Sequence, residues 1–253
     1  MGSTDGRNRV KDLVDTYLAE FYKKRLEKVN SLRLKHVLRR KNPYLFRAKG
    51  VETPSEIVEQ LLKDYLSSSD ETIFGNEFLE PLAREVSGGH GSSGEGVDFE
   101  IETDTVFKAV SMKSGMNWGN ASQKKRLHDE FMALNNRIRK LGKQFDAIVG
   151  HAYGIVGKKR KQKFIYRDVA GQAFWKEMTG DSEFYTKLIE AIRNQPKIHK
   201  AQFDKDLKTA VERFTEEFRK DFCKNDGSID WTKLTKFVSE ESDERRNKSD
   251  RKD

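Results

Sequence analysis

A carboxylate and a lysine occupy neighbouring strand ends of a hairpin that the sequence predicts in the middle of the chain. Residues 97–102 alternate between apolar and acidic side chains, which is the pattern of a β-strand, and a second strand follows over residues 106–113 after a short turn. Asp98 begins the first strand and Lys113 ends the second. Because the two strands of a hairpin run antiparallel, these side chains can lie side by side.

An aspartate beside a lysine suits the hydrolysis of a phosphodiester bond. The hard oxygens of Asp98 can hold Mg²⁺. The ammonium group of Lys113 can orient or deprotonate a water molecule, or neutralise the charge that develops on the phosphate. The alternative interpretation is a surface ion pair between adjacent strands, which the same two residues would form without any chemistry.

The residues around this hairpin resemble the active-site hairpin of the PD-(D/E)xK nuclease superfamily. Val97-Asp98 occupies the position of the "PD", and Ser111-Met112-Lys113 that of the "(D/E)xK". Val97 in place of proline is a common departure. Ser111 in place of the acid resembles a subgroup of restriction endonucleases whose missing carboxylate comes from elsewhere in the fold. The resemblance implies that Asp98, Ser111 and Lys113 are catalytic residues and that Mg²⁺ is the cofactor.

A wider resemblance, to one family of type II restriction endonucleases, covers roughly residues 41–190. Its most specific part is the run Asn117-Trp118-Gly119-Asn120, which comes after the lysine. The other similar segments are residues 41–49, 74–80, 113–123 and 171–175. The resemblance implies a type II site-specific deoxyribonuclease that cuts double-stranded DNA, with a cognate DNA methyltransferase in the same system.

Three glutamates are candidates for the carboxylate that Ser111 does not supply. Glu77 and Glu80 lie one turn apart on the helix predicted before the hairpin, so one helix face can present both. In the superfamily that helix often lends a glutamate to the metal, and the resemblance therefore favours Glu80 as a catalytic and metal-binding residue beside Asp98. Glu100 comes two residues after Asp98 and points to the same face of the strand. A solvated helix carboxylate is the other interpretation of Glu80.

The residues after the lysine are candidates for contacts with DNA. Amide side chains can hydrogen-bond to base edges in the major groove, and cations at a helix N-terminus suit phosphate contacts. A solvated helix face is the alternative for the three cations. The candidates are Asn117, Trp118, Asn120, Ser122, Gln123, Lys124, Lys125 and Arg126.

The charge distribution favours a nucleic acid as the partner. The 253 residues have a formal net charge of +8, which divides into +9 for residues 1–50, −12 for 51–104, +10 for 105–195 and +1 for 196–253. Basic blocks on both sides of an acidic block suggest a surface that attracts a polyanion around a site that holds cations. Solvated helix faces would give the same pattern.

The composition excludes several other classes of protein. No run approaches the roughly 18 apolar residues of a spanning helix, and the polar N-terminus does not resemble a signal peptide. The single cysteine, Cys223, excludes a disulfide framework and a cysteine-based zinc site. We expect a cytoplasmic, prokaryotic protein.

The periodicity of the chain predicts an α/β protein in four regions. They are a basic helical region (1–50), a nuclease core (51–195), a C-terminal helical region (196–240) and a charged, disordered tail (241–253). The fold expected from the resemblance is a PD-(D/E)xK restriction-endonuclease-like core, a mixed sheet with a crossover helix, wrapped by the N- and C-terminal helices.

Several local expectations within the core can be compared with the structure. A helix that begins at Thr53 is predicted to end at residues 67–70, and a crossover helix to run from about Ser122 to Gly142. Strands are predicted over residues 145–156 and 164–166, so part of the sheet should be parallel. Residues 87–96 form a glycine-rich loop, and His151 is interpreted as a core histidine.

Two other functions remain open from the sequence. The same core would serve a repair or recombination nuclease without sequence preference. Ser111 would also fit a non-catalytic DNA-binding module whose nuclease site has decayed. For the restriction endonuclease, a homodimer is expected, because one hairpin provides one active centre and a double-strand break most simply needs two.

Overall fold

The chain folds as an α/β protein with a mixed sheet, as the sequence predicts. We describe a computed structural model over residues 3–113, 115–157, 163–193 and 196–240, so the predicted tail at 241–253 lies outside the described residues. The described helices are α1 (Ser3–Ser31), α2 (Leu34–Leu38), α3 (Pro43–Ala48), α4 (Pro54–Phe74), α5 (Glu80–Val86), α6 (Ala121–Arg139), α7 (Gly171–Thr179), α8 (Phe184–Ile192), α9 (Pro196–Phe222) and α10 (Trp231–Ser239). The described strands are β1 (His90–Gly91), β2 (Phe99–Glu102), β3 (Val106–Lys113), β4 (Gln144–His151) and β5 (Arg167–Ala170).

The five strands form one sheet in the order β1-β2-β3-β4-β5. The pairs β1–β2 and β2–β3 are antiparallel, whereas β3–β4 and β4–β5 are parallel. Helix α6 connects the parallel strands β3 and β4, which confirms the predicted strand–helix–strand unit. The register pairs Phe99 with Val110 and Lys113 with His151.

The sheet carries an apolar core on each of its faces. On one face Phe99, Val110 and Ile148 pack with side chains of α5, α7, α8 and the first part of α1. On the other face Ala109 and Val149 pack with side chains of α6. Because both faces of β3 and β4 are covered, successive side chains are buried over most of the length of each strand.

Contacts group the chain into two units. One consists of Met1–Lys23 with Glu71–His199 and contains the whole sheet. The other consists of Lys24–Asp70 with Lys200–Asp253. The core of the second unit comes from α2, α3, α4, α9 and α10. The division of the sequence at residues 50, 195 and 240 stays a prediction about domains. No described helix is long and apolar enough to cross a bilayer.

The predicted helix end at residues 67–70 is wrong. The capping box at Thr53 and Glu56 starts α4 as predicted, but the helix continues to Phe74. Serine and aspartate weaken a helix because their side chains compete for backbone hydrogen bonds. Here Asp70 accepts two hydrogen bonds of 2.7 Å from Arg25, and this tertiary contact offsets the poor helix propensity.

Two predicted strand positions also need correction. Strand β4 ends at His151 instead of residue 156, and β5 begins at Arg167, directly after the segment 164–166 for which the sequence predicts a strand. Phe164 and Tyr166 instead stack with ring centroids 5.2 Å apart. Helix α7 is absent from the sequence-based expectations. It starts at a glycine without a capping side chain, so the usual start signal is missing.

We predict that Gly150→Ala destabilises the sheet. A Cβ at position 150 would overlap Cε2 of Phe174, a fully buried residue of α7. Overpacking of this kind costs about 1–3 kcal/mol in the free energy of unfolding. Gly157→Ala is the control, because nothing lies within 4 Å of its Cβ position, and we expect a change of no more than about 0.5 kcal/mol. Urea denaturation of the three proteins measures the difference, and equal stability of the two variants would contradict it.

Candidate active site

The β2–β3 hairpin brings Asp98, Ser111 and Lys113 together. Asp98 directly precedes β2, and its backbone N–H donates to the carbonyl of Val110. The side chain of Asp98 accepts a hydrogen bond of 2.5 Å from the backbone N–H of Met112. The Nζ atom of Lys113 lies 3.8 Å from Oδ2 of Asp98 and donates to Oγ of Ser111 at 2.8 Å.

Ser111 is a bridge between the two charged groups. Its side chain is fully buried and accepts the hydrogen bond from Lys113, and its hydroxyl lies close enough to Asp98 to lower the pKa of that carboxyl group. Burial raises the pKa of Asp98, while Lys113, the Met112 N–H and the Ser111 hydroxyl act in the opposite direction. Asp98 is therefore a partly desolvated carboxylate that neighbouring donors hold in one orientation.

Glu80 faces the same site from the helix that precedes the hairpin. Burial, followed by the negative charge of Asp98, raises the pKa of Glu80 to about 7. Arg84 and Lys113 oppose this shift, and Glu77 adds to it. These mutual charge effects indicate that Glu80, Asp98 and Lys113 form one electrostatic group.

A π-helical turn, Gly75–Leu79, sets the position of Glu80. The backbone N–H of Glu80 donates to the carbonyl of Gly75, five residues earlier, instead of four as in an α-helix. Pro81 is the next residue of α5 and has no N–H for an earlier carbonyl. A cavity of about 220 Å³ lies beside the turn. Its lining residues are Glu71, Thr72, Gly75, Asn76, Leu79, Glu80, Met112 and Lys113.

Glu100 is engaged by the glycine-rich segment. Its side chain is 2% exposed. Oε1 accepts hydrogen bonds from the Ser93 N–H at 2.9 Å and from the hydroxyls of Ser92 and Ser93 at 3.1 and 3.0 Å. Glu100 therefore has a structural task that the sequence did not reveal, which is to hold the segment before β2.

The donor set at the site fits a magnesium ion. Among the described residues, no three histidine, cysteine, aspartate or glutamate side chains are grouped closely enough to enclose a metal. Mg²⁺, however, is usually bound through one or two carboxylates, several waters and the phosphates of a substrate. Asp98 and Glu80 supply two carboxylates whose mutual repulsion a cation would relieve.

The candidate DNA-contacting residues fall into three groups. Asn120 and Gln123 form a capping box, in which each side chain accepts a hydrogen bond from the other's backbone N–H, at 3.0 and 2.8 Å. This pair fixes the first turn of α6. Trp118 lies near Lys113 and Lys124, whose Nζ atoms are 5.5 and 5.6 Å from the centre of its ring.

The remaining candidates are on the surface. Asn117 and Ser122 are exposed. Lys125 pairs with Asp129 at 2.8 Å. Arg126 pairs with Glu95 and Glu130. The two cations lie at exposed positions of α6, where ion pairs contribute little to stability and can be exchanged for phosphates.

His151 and Asp168 form a hydrogen-bonded pair on the same face of the sheet as Lys113, and the sequence analysis did not include this pair in the site. His151 is fully buried, as a core histidine would be, but its ring bonds to Asp168 and to the carbonyl of Gly115. In the register of the parallel strands His151 lies opposite Lys113. No local sequence pattern indicates this pair, because the contact depends on the register of the parallel strands, in which paired residues share a face.

We predict that Glu80→Gln stabilises the metal-free protein in alkaline solution. A carboxyl group whose pKa rises from 4.5 to about 7 on folding binds its proton more tightly in the folded state. The free energy of unfolding therefore falls as the pH rises through that window. Glutamine removes this cost, which we place at about 1–2 kcal/mol after allowing for partial exposure.

Urea denaturation in EDTA at pH 5 and pH 8 measures the effect. The variant should exceed the parent in stability at pH 8 and match it within about 0.5 kcal/mol at pH 5. Glu102→Gln is the control, because its carboxylate is exposed and pairs with Lys143. A parent and a Glu80→Gln protein with the same pH dependence would show that Glu80 is not in this electrostatic group.

Comparison with known proteins identifies the family. The family model described as type II restriction endonuclease EcoO109I matches residues 8–200, which are 193 of the 253 residues. No curated protein matches the chain. The matched region contains the mixed sheet, the crossover helix and the PD-(D/E)xK-like hairpin. The chain therefore belongs to the EcoO109I family of type II restriction endonucleases, and it is a deoxyribonuclease with a PD-(D/E)xK core.

Proposed function

We propose that the protein cuts double-stranded DNA at a short specific sequence in a reaction that requires Mg²⁺. The observation that carries this proposal is the grouping of Asp98, Glu80 and Lys113 at one end of the β2–β3 hairpin. Two partly buried carboxylates with raised pKa values beside a lysine are typical of a catalytic site rather than of a surface ion pair.

The three residues have two roles in the proposed reaction. Asp98 and Glu80 would hold the metal, with Glu77 close enough to Glu80 to add negative charge. When bound, Mg²⁺ would supply positive charge to the scissile phosphate. Lys113 orients the attacking water, and its bond to Ser111 keeps the ammonium group next to Asp98.

The residues after the lysine would bind the DNA. Lys113 and Lys124 both lie near the ring of Trp118, so a contact to Trp118 would place a phosphate near the catalytic group. Lys125 and Arg126 would attract the backbone. The exposed side chains available for base edges or phosphates are those of Asn117 and Ser122.

Two of the candidate residues would also have a structural role. Asn120 and Gln123 would position the start of α6, because their side-chain oxygens accept the hydrogen bonds of the capping box. The exposed amide NH₂ groups of both residues could donate to DNA while these bonds persist.

We expect the biological setting of a restriction system. A cytoplasmic prokaryotic enzyme that cuts a specific sequence needs a cognate DNA methyltransferase to protect the host's own sites. Cleavage of unmodified DNA can be measured with the purified protein alone, whatever its methyltransferase partner or its location in the cell.

We predict that Asp98→Ala and Lys113→Ala each abolish cleavage but retain DNA binding. Each variant removes one group of the catalytic site, and such a loss typically lowers the rate by at least about 10²-fold. Cleavage of phage DNA with Mg²⁺, together with a binding assay in Ca²⁺, separates the two effects. Glu102→Ala and Lys108→Ala are the controls, because they remove an exposed carboxylate at the far end of β2 and a lysine on the opposite face of β3.

The same assay identifies the second acid. Glu80→Ala should be as inactive as Asp98→Ala, whereas Glu77→Ala and Glu100→Ala should be milder. Cleavage near the parental rate by Asp98→Ala or Lys113→Ala would refute the site. An inactive Glu100→Ala protein with an active Glu80→Ala protein would move the second acid to the strand. Discrete bands would indicate sequence specificity, and a smear would indicate a nuclease without sequence preference. Binding without any cutting would indicate a decayed nuclease site.

The enzyme is proposed to act as a homodimer. A two-fold symmetric pair would present one Asp98–Lys113 site to each antiparallel DNA strand. We predict a dimer in analytical ultracentrifugation, alone or on DNA, and a linear product without an accumulating nicked intermediate. A monomer in both states that first accumulates nicked circles would contradict the dimer and indicate two sequential single-strand cuts.

A further inference from the structure

The ring of His151 is held between two hydrogen-bond acceptors. Its Nδ1 atom lies 3.1 Å from the carbonyl oxygen of Gly115, and its Nε2 atom lies 2.9 Å from Oδ1 of Asp168. The ring is fully buried at the end of β4, whereas the side chain of Asp168 is 40% exposed. Gly115 comes two residues after Lys113, so one side of the ring faces the segment that leads away from the proposed catalytic lysine.

Both hydrogen bonds cannot form with an ordinary neutral histidine and an ionised aspartate. A carbonyl oxygen and a carboxylate only accept, and a neutral imidazole has a single N–H to donate. The two bonds coexist only when the His151–Asp168 pair holds one additional proton, either on the ring or on the carboxyl group. Without that proton the remaining N–H favours the charged carboxylate, and the lone pair of Nδ1 then faces the lone pairs of the Gly115 carbonyl.

The chain around Gly115 is closely packed, so a hydrogen bond to the Gly115 carbonyl would restrict the residues that follow it. A Cβ at Gly115 would lie 2.6 Å from Oη of Tyr153, and a Cβ at Gly154 would lie 2.7 Å from Cγ of Met116. Residues 115 and 116 are therefore closely packed against Tyr153 and Gly154, which come after β4. The chain continues to Trp118, whose ring lies near Nζ of Lys113.

We infer that His151 and Asp168 are positioning residues for DNA cleavage, and that they share one proton to hold the Gly115 carbonyl and thereby residues 115–118. The inference rests on the proposed function of Lys113. Neither residue touches the reacting atoms. They act by fixing the position of the chain that follows Lys113 and contains the candidate DNA contacts.

In the part of the chain that the structure describes, few charged groups face the His151 ring. They are Asp168 on β5, which bonds to Nε2, and Lys113 on β3, which is in register with His151. Burial and the charge of Asp168 raise the pKa of Tyr166 to about 12, so this residue stays neutral. Tyr153 comes after β4, and α6 presents apolar side chains to this face of the sheet. Asp168 is thus the main charged partner in this environment.

Replacing Asp168 by asparagine tests the shared proton directly. The amide can donate to Nε2 of a neutral ring, which leaves Nδ1–H free to donate to Gly115 without an additional proton. The parent should therefore lose activity in alkaline solution as the proton leaves, whereas Asp168→Asn should not. Asp146→Asn is the matched control, because this carboxylate lies on β4 in an ion pair with Arg167, away from Gly115.

The experiment measures kcat and KM for DNA cleavage with Mg²⁺ from pH 6 to 9.5, and ¹⁵N shifts of the histidine rings over the same range without metal or DNA. We expect a fall in the parental kcat at the pH where the His151–Asp168 pair loses its additional proton. The kcat of Asp168→Asn should be about tenfold above that of the parent at pH 9, the scale of one lost hydrogen bond. Asp146→Asn should behave like the parent.

Three outcomes would overturn the inference. The first is the same alkaline decline in the parent and Asp168→Asn. The second is a His151–Asp168 pair that carries no additional proton at any pH in the range. The third is an equal shift of the profile by Asp146→Asn. A parent that cuts no DNA at any pH would instead refute the proposed function, and the ¹⁵N titration, which needs neither metal nor DNA, would still decide whether the pair holds the proton.

Discussion

The register between β2 and β3 is the constraint on which the site depends. Side chains of a strand alternate between faces, so a slip of one residue would send Asp98 away from Ser111 and Lys113. The register is held by apolar packing on both faces, with Phe99 opposite Val110 on one of them. The chemistry of the site therefore rests on the same buried contacts that stabilise the sheet.

The site concentrates negative charge that the protein only partly compensates. Asp98 and Glu80 both have raised pKa values because burial and, for Glu80, the neighbouring carboxylate disfavour ionisation. Lys113 and Arg84 reduce this cost without removing it. A fold selected for stability alone would pair or expose these carboxylates. Their retention is understandable where a cation and a phosphate bind, because each ligand compensates the charge of the other.

The sequence predicted the parts of the fold that local patterns encode, and missed those that tertiary contacts decide. The hairpin, the capping box at Thr53 and the crossover helix follow from alternation, capping and periodicity. The continuation of α4 depends on the ion pair between Asp70 and Arg25, which are 45 residues apart. The bonds of Glu100 and His151 also come from segments outside their own strands, so neither role could be read from adjacent residues.

The π turn and Ser111 are two parts of one arrangement in the proposed site. Position 111 is fully buried between Asp98 and Lys113, so a carboxylate there would add a third negative charge to a group that already contains Glu80. Serine supplies a neutral side chain that accepts from Lys113 and favours the ionised form of Asp98. In the proposed site the acid would come instead from Glu80, which lies at the start of α5, directly after the π turn and before Pro81. The departure from the usual motif at residue 111 is thus matched by a carboxylate that reaches the same site from another element.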